Sequence, residues 1–186
     1  MIRRIYNTIT RSLILIATAG TLLLSQDKPN DKHTVTIVVQ KVAMLDIESP
    51  TSKNLILTMA SSTEAGDRLQ NSSDDKIWLN VTSVVGPGDT RDISVKINEL
   101  VSGVDLNVVS DAYSGAGFGS WGTPQNEVTL TQLDQILVSG IKSGESGDGA
   151  NNGFNLKYIA KSNNSKYGEI ASTPGSDITV IYTLTR

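Results

Sequence analysis

The chain of 186 residues has no cysteine and a single histidine, and both scarcities exclude chemistry. Without cysteine there is no disulfide, thiolate nucleophile, zinc–thiolate site or iron–sulfur cluster. A Ser-His-Asp triad would have to be built on His33 alone, and a site with several histidine ligands is excluded. No spacing brings two carboxylates to one cleft. The sequence therefore predicts no catalytic residue, no cofactor and a function other than catalysis.

The N-terminus has the pattern of an export signal. Three arginines in the first 11 residues precede an uncharged apolar run, 13–24, which is too short to cross a bilayer core as a helix. A basic start, a short apolar run and a small residue are typical of a secretory signal peptide. We expect residues 1–25 to be removed after Ser25, with cleavage after Ala19 or an uncleaved anchor as the alternatives. The predicted destination is the cell surface, the medium or the periplasm.

Removal of this signal makes the chain more acidic. The formal net charge moves from −3 to −6, because residues 1–25 hold three arginines and no acidic residue. Phosphate backbones are bound by clustered Lys and Arg, so we expect no nucleic-acid partner. No membrane span is expected after signal removal. The remaining residues, 26–186, are enough for one domain with a hydrophobic core.

Beyond the signal, apolar residues alternate with polar ones in the period-two pattern of half-buried strands. The first predicted strand covers residues 33–47, with a bulge or sheet crossing at Gln40-Lys41, and alternates at Val35, Ile37 and Val39. The last covers residues 177–185 and alternates at Ile178, Val180, Tyr182 and Leu184.

The strands between these two are marked by further alternating sets. These sets are Leu55, Leu57 and Met59; Ile77, Leu79 and Val81; Ile93, Val95 and Ile97; Val104, Leu106 and Val108; Val128 and Leu130, continued by Ile136 to Ile141; and Leu156, Tyr158 and Ala160. Only residues 131–138 would allow a short helical turn. About eight strands joined by Gly, Ser, Asn and Asp predict an all-β fold, a single antiparallel β-sandwich of immunoglobulin- or pilin-like type.

A glycine-rich loop at residues 110–124 carries three aromatic rings. Its glycines lack the following helix and Lys-Ser or Lys-Thr pair of a phosphate-binding loop. Tyr113, Phe118 and Trp121 could instead stack on sugar faces or anchor a protein partner. The alternative is that these rings fold back and cover one end of the sandwich.

A second loop, 143–153, is rich in glycine and oxygen ligands. Glu145 and Asp148 are the calcium candidates. Their spacing does not match the helix–loop–helix calcium site, and the same residues are common in solvated turns. We therefore predict no metal site.

The terminal strands carry the main functional hypothesis. Such strands readily lie at sheet edges, where they can pair with a neighbouring molecule. If the first strand leaves its own sandwich to complete another subunit, the product is an open head-to-tail fibre. The alternative is that both strands only complete their own sheet.

Several segments resemble those of uncharacterised secreted proteins of Bacteroidota. These are Val42 to Ile47, Trp78 to Ser83, the glycine-rich middle, Gly149 to Gly153, and Ile178 to Thr185. The last strand is also similar to that of chaperone–usher pilins and spore-coat-U-like domains, which implies a fibre subunit. Tyr182 lies four residues from the end, and the disulfide common in those pilins is absent. The resemblance therefore does not extend to the chaperone–usher route.

Together these patterns predict an exported surface protein. It would be the subunit of a pilus-like fibre or an adhesin, and its partner would be another copy or a related subunit bound through residues 33–47 and 177–185. The alternative is a carbohydrate-binding module that holds a polysaccharide through Tyr113, Phe118 and Trp121.

Overall fold

The computed structural model describes residues 30–185. The predicted signal peptide, 1–25, lies outside the described residues. The chain divides into two units along the sequence, Met1–Val38 and Val39–Arg186. The described part of the first unit, 30–38, contains no helix or strand, and the second unit contains all the strands described below.

The second unit is all-β. Its strands are β1 (Val42–Glu48), β2 (Ser72–Val84), β3 (Arg91–Ile97), β4 (Val104–Ser110), β5 (Phe118–Gly119), β6 (Thr123–Pro124), β7 (Val128–Thr129), β8 (Gln135–Ile141), β9 (Gly144–Glu145), β10 (Phe154–Ser162) and β11 (Val180–Leu184). One 3₁₀ turn, Tyr167–Glu169, follows β10. Within residues 30–185, no helix is long and apolar enough to span a membrane.

The strands form two antiparallel sheets. In the larger sheet the order is β5-β9-β2-β10-β4-β7, and β1 also pairs with β2. In the smaller sheet the order is β11-β3-β8-β6. The long strand β2 therefore pairs with β1, β9 and β10. Val42, the first residue of β1, lies opposite Val84, the last residue of β2.

One hydrophobic core joins the two sheets. Every second residue of a strand points to the same face, so the alternating sets of the sequence become the buried face of each strand. The larger sheet contributes Ile77, Leu79, Val81, Val108, Phe154, Leu156 and Tyr158, and the smaller contributes Ile93, Val95, Ile97, Leu137, Val138 and Ile141. The predictions for β2, β3, β4 and β10 are confirmed. The two antiparallel sheets contain seven longer strands and four two-residue strands, rather than about eight.

Residues 131–138 do not form the helical turn that their pattern allowed. Gln135–Ile141 is strand β8, which pairs with β3 through Ile93–Val138 and Ser94–Ile136. The pairing register between β3 and β8 shifts between these two pairs. The apolar residues of β8 do not alternate regularly with polar ones, which agrees with this irregular pairing.

The predicted first strand, 33–47, is confirmed from Val42, where β1 begins, but is wrong for Val35, Ile37 and Val39. Pairing begins at Val42, opposite Val84, and residues 30–41 form no strand. Immediately after Val84 the partner chain turns, and the N–H of Asp89 donates to the carbonyl of Gly86 (3.1 Å). A strand needs a partner for its backbone groups. The turn after Val84 ends β2, so the residues before Val42 have no partner in that strand.

Residues 55–59 also form no strand, although their pattern predicted one. Leu55, Leu57 and Met59 are half-buried while Ile56 and Thr58 are exposed, so the chain has the alternation of a strand. Leu55 and Leu57 pack against the core. The alternation of half-buried and exposed side chains was predictable from the sequence because it depends on burial alone. A ladder of backbone hydrogen bonds also requires a neighbouring strand, which the local sequence does not show.

The two glycine-rich loops are joined to each other and to β2. Ser114 and Gly153 exchange two backbone hydrogen bonds (3.0 and 2.8 Å), and β5 pairs with β9. The N–H of Ser146 donates to the carbonyl of Val81, and the Val81 N–H donates to the Ser146 hydroxyl, both over 2.9 Å. These contacts require close approach of two backbones, which glycine permits.

Replacing Gly153 with Ala tests this close approach. Gly153 has φ +90°, and a Cβ there would lie 2.2 Å from the carbonyl oxygen of Leu79. Gly149 has φ +84° with open space around its Cβ position, so Gly149→Ala is the matched control. We expect Gly149→Ala to lower the free energy of unfolding by about 1–2 kcal/mol, the cost of the left-handed backbone. Gly153→Ala should cost clearly more in urea titration. Equal losses would show that the two backbones are not this close.

Candidate functional site

The C-terminal strand β11 is an edge of the smaller sheet. It pairs with β3 from Val180–Ile97 to Leu184–Ile93, and no strand of the described chain pairs with its other side. Val180, Tyr182 and Leu184 are half-buried against the core, whereas Ile181 is 39% exposed. Ile178 also packs on the core but precedes the strand, which is shorter than the predicted 177–185. The backbone edge of β11 is thus available, but its apolar face is used.

Tyr182 connects the two sheets through a hydroxyl pair. Its hydroxyl is hydrogen-bonded to that of Tyr158 on β10, in the other sheet. Burial raises the pKa of Tyr158 to about 12, and burial beside Tyr158 raises that of Tyr182 well above its usual value. The pair satisfies two polar groups inside an apolar core, and it fixes β11 against β10.

The side chain of Arg91 joins the end of β2 to the residue that follows β11. Its side chain is 4% exposed and donates to the carbonyls of Thr185 (2.5 Å) and Val84 (3.5 Å). Sequence reasoning missed this residue, although a signal was present. Arg91 has the same parity as Ile93, Val95 and Ile97, so the alternation places it on the buried face.

The segment before β1 exposes apolar side chains without a backbone partner. Val35, Ile37 and Val39 are 69%, 82% and 74% exposed, and Val38 is 79% exposed. No backbone hydrogen bond within the described chain involves residues 34–41. Its six residues 34–39 are Thr or β-branched aliphatic residues without a charge, the composition that favours a strand.

Residues 55–59 form a second extended stretch without a ladder. Leu55 and Leu57 lie against the core, and Ile56 is 87% exposed on the opposite face. Within the described part of the chain, the nearest backbone hydrogen bond is made by Ala60, whose carbonyl accepts from the N–H of Gln70 (2.9 Å). The side chains of this stretch therefore alternate between core and solvent as in an edge strand, but its backbone is paired with no strand of the described chain.

The three aromatic candidates of the glycine-rich loop do not lie on one surface. Tyr113 and Trp121 stack on each other, with ring centroids 4.3 Å apart, and both meet the buried Phe154 edge-on at 6.3 and 6.4 Å. Both rings are packed against the core. Phe118 is 80% exposed. The first two rings close the core at this end, and Phe118 alone faces solvent.

The calcium candidates serve the fold of their own loop. The two carboxylate oxygens of Glu145 accept the N–H groups of Phe118 (3.2 Å) and Gly147 (3.0 Å). The backbone carbonyl of Asp148 accepts from the side-chain amide of Asn152 (2.7 Å). Across residues 30–185, no three His, Cys, Asp or Glu side chains come together as a metal site would require.

An open polar cleft lies at one end of the larger sheet. It has a volume of about 850 Å³, and Arg68, Asp105, Lys161 and Asn163 are among the residues that line it. Asn163 donates to both carboxylate oxygens of Asp105 (2.9 and 3.1 Å), and Lys161 pairs with Glu127. These groups satisfy one another within the chain.

Neither a protein-family model, nor a curated protein, nor a solved structure matches this chain. Its function must be inferred from its own residues. Two features distinguish the described residues, 30–185. Two apolar stretches, 34–41 and 55–59, have no backbone partner among these residues, and one edge of β11 is free among them. Unpaired N–H and C=O groups in such stretches can accept another strand.

Replacing Trp121 with Ala separates a core role from a contact role. Trp121 stacks on Tyr113 and meets Phe154, so Trp121→Ala should destabilise the fold by about 3 kcal/mol, as other large aromatic truncations do. Phe118→Ala, in the same loop, should change the free energy of unfolding by less than about 0.5 kcal/mol because its ring is exposed. Thermal and urea unfolding measure both. Equal stabilities of the two variants would contradict this packing.

The tyrosine pair predicts a loss of stability in alkali. Between about pH 10 and about 12 the native Tyr158 keeps a proton that the unfolded chain has lost. The free energy of unfolding should therefore fall by about 1.4 kcal/mol per pH unit for each tyrosine held neutral, with no loss from this source below pH 10.

The double variant Tyr158→Phe, Tyr182→Phe is the control, since it removes both hydroxyls and leaves neither unpaired. Its stability should decline less steeply over the same range in urea titrations. The same slope in both proteins would show that the pair does not titrate as described.

Proposed function

We propose that this protein is an exported structural subunit, an immunoglobulin- or pilin-like β-sandwich that assembles with copies of itself into a surface fibre through β-strands. The observation that carries the proposal is the stretch 34–41. It has the composition of a strand, exposes Val35, Ile37 and Val39, and has no backbone partner in the part of the chain that the structure describes. The signal-like pattern at residues 1–25 supports export. Its resemblance to secreted proteins and to pilin strands supports the same proposal.

The absence of protective charges along this stretch supports assembly over simple exposure. Proteins usually protect free strands with lysine, proline, bulges or inward charges. Residues 34–39 contain no charge and no proline, and the nearest charged side chains are Lys32 and Lys41. Lys41 is already paired with Asp89 (2.7 Å). An uncharged, β-branched stretch of this kind pairs with whatever free edge it meets.

The two sheets offer strand edges to which another copy can pair. Among residues 30–185, β11 has one unpaired side, and residues 55–59 pair on neither side. The only histidine, His33, is exposed and lies at the start of the proposed assembly stretch. The net charge of −6 after signal removal keeps the subunits soluble before they pair, because like charges oppose non-specific association.

A carbohydrate-binding module is the alternative function. It was based on three rings, of which Tyr113 and Trp121 pack on the core and Phe118 is exposed. A flat aromatic platform requires several accessible rings, so this function would depend chiefly on Phe118. Loss of retention on a polysaccharide gel in Phe118→Ala, with assembly unchanged, would favour it.

Replacing Ile37 with Asp tests the assembly proposal. An inward charge on a pairing strand must be desolvated at the interface, so Ile37→Asp should abolish higher oligomers and filaments. Thr36→Asp is the matched control, because it places the same residue on the other face of the same stretch. Size-exclusion chromatography and electron microscopy of the exported chain measure both. A wild-type chain that stays monomeric at high concentration would contradict the proposal.

A further inference from the structure

We infer that residues 55–59 are the acceptor for strand 34–40 of a second copy. This inference rests on the proposed function and adds the location of the binding site. Two stretches whose sequences predict strands form no ladder within the described chain. Pairing one with the other between copies would complete both.

The side chains of the two stretches are complementary. Residues 55–59 present Leu55 and Leu57 to the core and leave Ile56 exposed, and they form no backbone hydrogen bond within residues 30–185. Residues 34–40 offer Val35, Ile37 and Val39 on one face, with Thr36 and Val38 on the other. A donor that places Ile37 toward the core beside Leu57 would place Val38 next to Ile56, so two side chains that are 79% and 87% exposed would cover each other.

Two other free edges, the first residues of β2 and the outer side of β11, fit the donor less well. The first residues of β2 pair with β10 only, but they carry Asp74, Asp75 and Lys76, the charges that protect an edge. β11 already uses one side in its ladder with β3, and β1 of the other sheet lies close to it. Residues 55–59 have neither a charge nor a ladder.

The positions of the two chain attachments favour pairing between copies. The donor enters the domain at Val42, opposite Val84, the last residue of β2. The acceptor ends at Ala60, which is bonded to Gln70, just before the first residue of β2. The twelve steps along β2 span about 40 Å. The five steps from Ile37 to Val42 and the three from Leu57 to Ala60 together span at most about 29 Å, which is too short to bring Ile37 beside Leu57 of its own copy.

The chain attachments of donor and acceptor, Val42 and Ala60, lie toward opposite ends of β2, which would give the assembly a direction. Each copy would offer its donor at one end and its acceptor at the other, so the contact is head-to-tail and does not close on itself. The product of repeated pairing is an open fibre whose copies follow one another along the direction of β2.

Cross-linking between single-cysteine variants tests this assignment, because the native chain has no cysteine. Full-length chains with Val38→Cys and with Ile56→Cys are mixed and treated with a short bismaleimide, which tolerates a shift of register. Each chain carries one cysteine, so any heterodimer is an intermolecular contact. We expect a strong heterodimer band, reduced about tenfold or more when Ile37→Asp is added to the Val38→Cys chain, because the buried charge opposes pairing.

A matched acceptor, Ile181→Cys on the exposed face of β11, separates the two hypotheses. Cross-linking of Val38→Cys to this variant in place of Ile56→Cys would overturn the acceptor assignment and leave strand assembly standing. Filaments without either cross-link would also overturn it. If all chains stay monomeric in size-exclusion chromatography, the proposed function itself fails. Each cysteine replaces an exposed side chain, so the variants should fold, and their melting temperatures check this.

Discussion

The ladder along β2 is the constraint on which the rest of the structure depends. Its 13 residues pair with β1, β9 and β10, so the larger sheet is organised around this one strand. Ile77, Leu79 and Val81 from its inner face lie in the middle of the core. Where β2 ends at Val84, β1 loses its partner, and the chain before Val42 is left without one. The exposed stretch 34–41 is therefore a consequence of the length of β2.

The inward faces of the strands could be predicted because burial follows parity. Apolar residues at every second position identify β2, β3, β4 and β10 with their buried residues, and the same rule holds for Tyr182 and Leu184. Parity does not identify partners. Val35, Ile37 and Val39 alternate as well as any set in the chain, yet they form no strand, since a strand also requires backbone groups to pair with.

The candidate site was predictable only in part for the same reason. The role of Tyr182 depends on Tyr158, which is 24 residues away in the other sheet, and no local pattern shows that the two hydroxyls meet. The aromatic loop had two interpretations in the sequence, and the edge-on contacts of Tyr113 and Trp121 with Phe154 depend on where β10 begins. The burial of Arg91 could have been predicted from the alternation along β3, because Arg91 lies on the same face as Ile93.

Assembly through unpaired strands would use the same backbone pairing that builds each sheet. Its most direct test is amide hydrogen exchange of residues 34–40 and 55–59, compared between dilute monomer and assembled protein. The account predicts fast exchange of both stretches in the monomer and joint protection on assembly, with the amides of β2 protected in both states. Assembly that leaves both stretches exchanging at the monomer rate would contradict it.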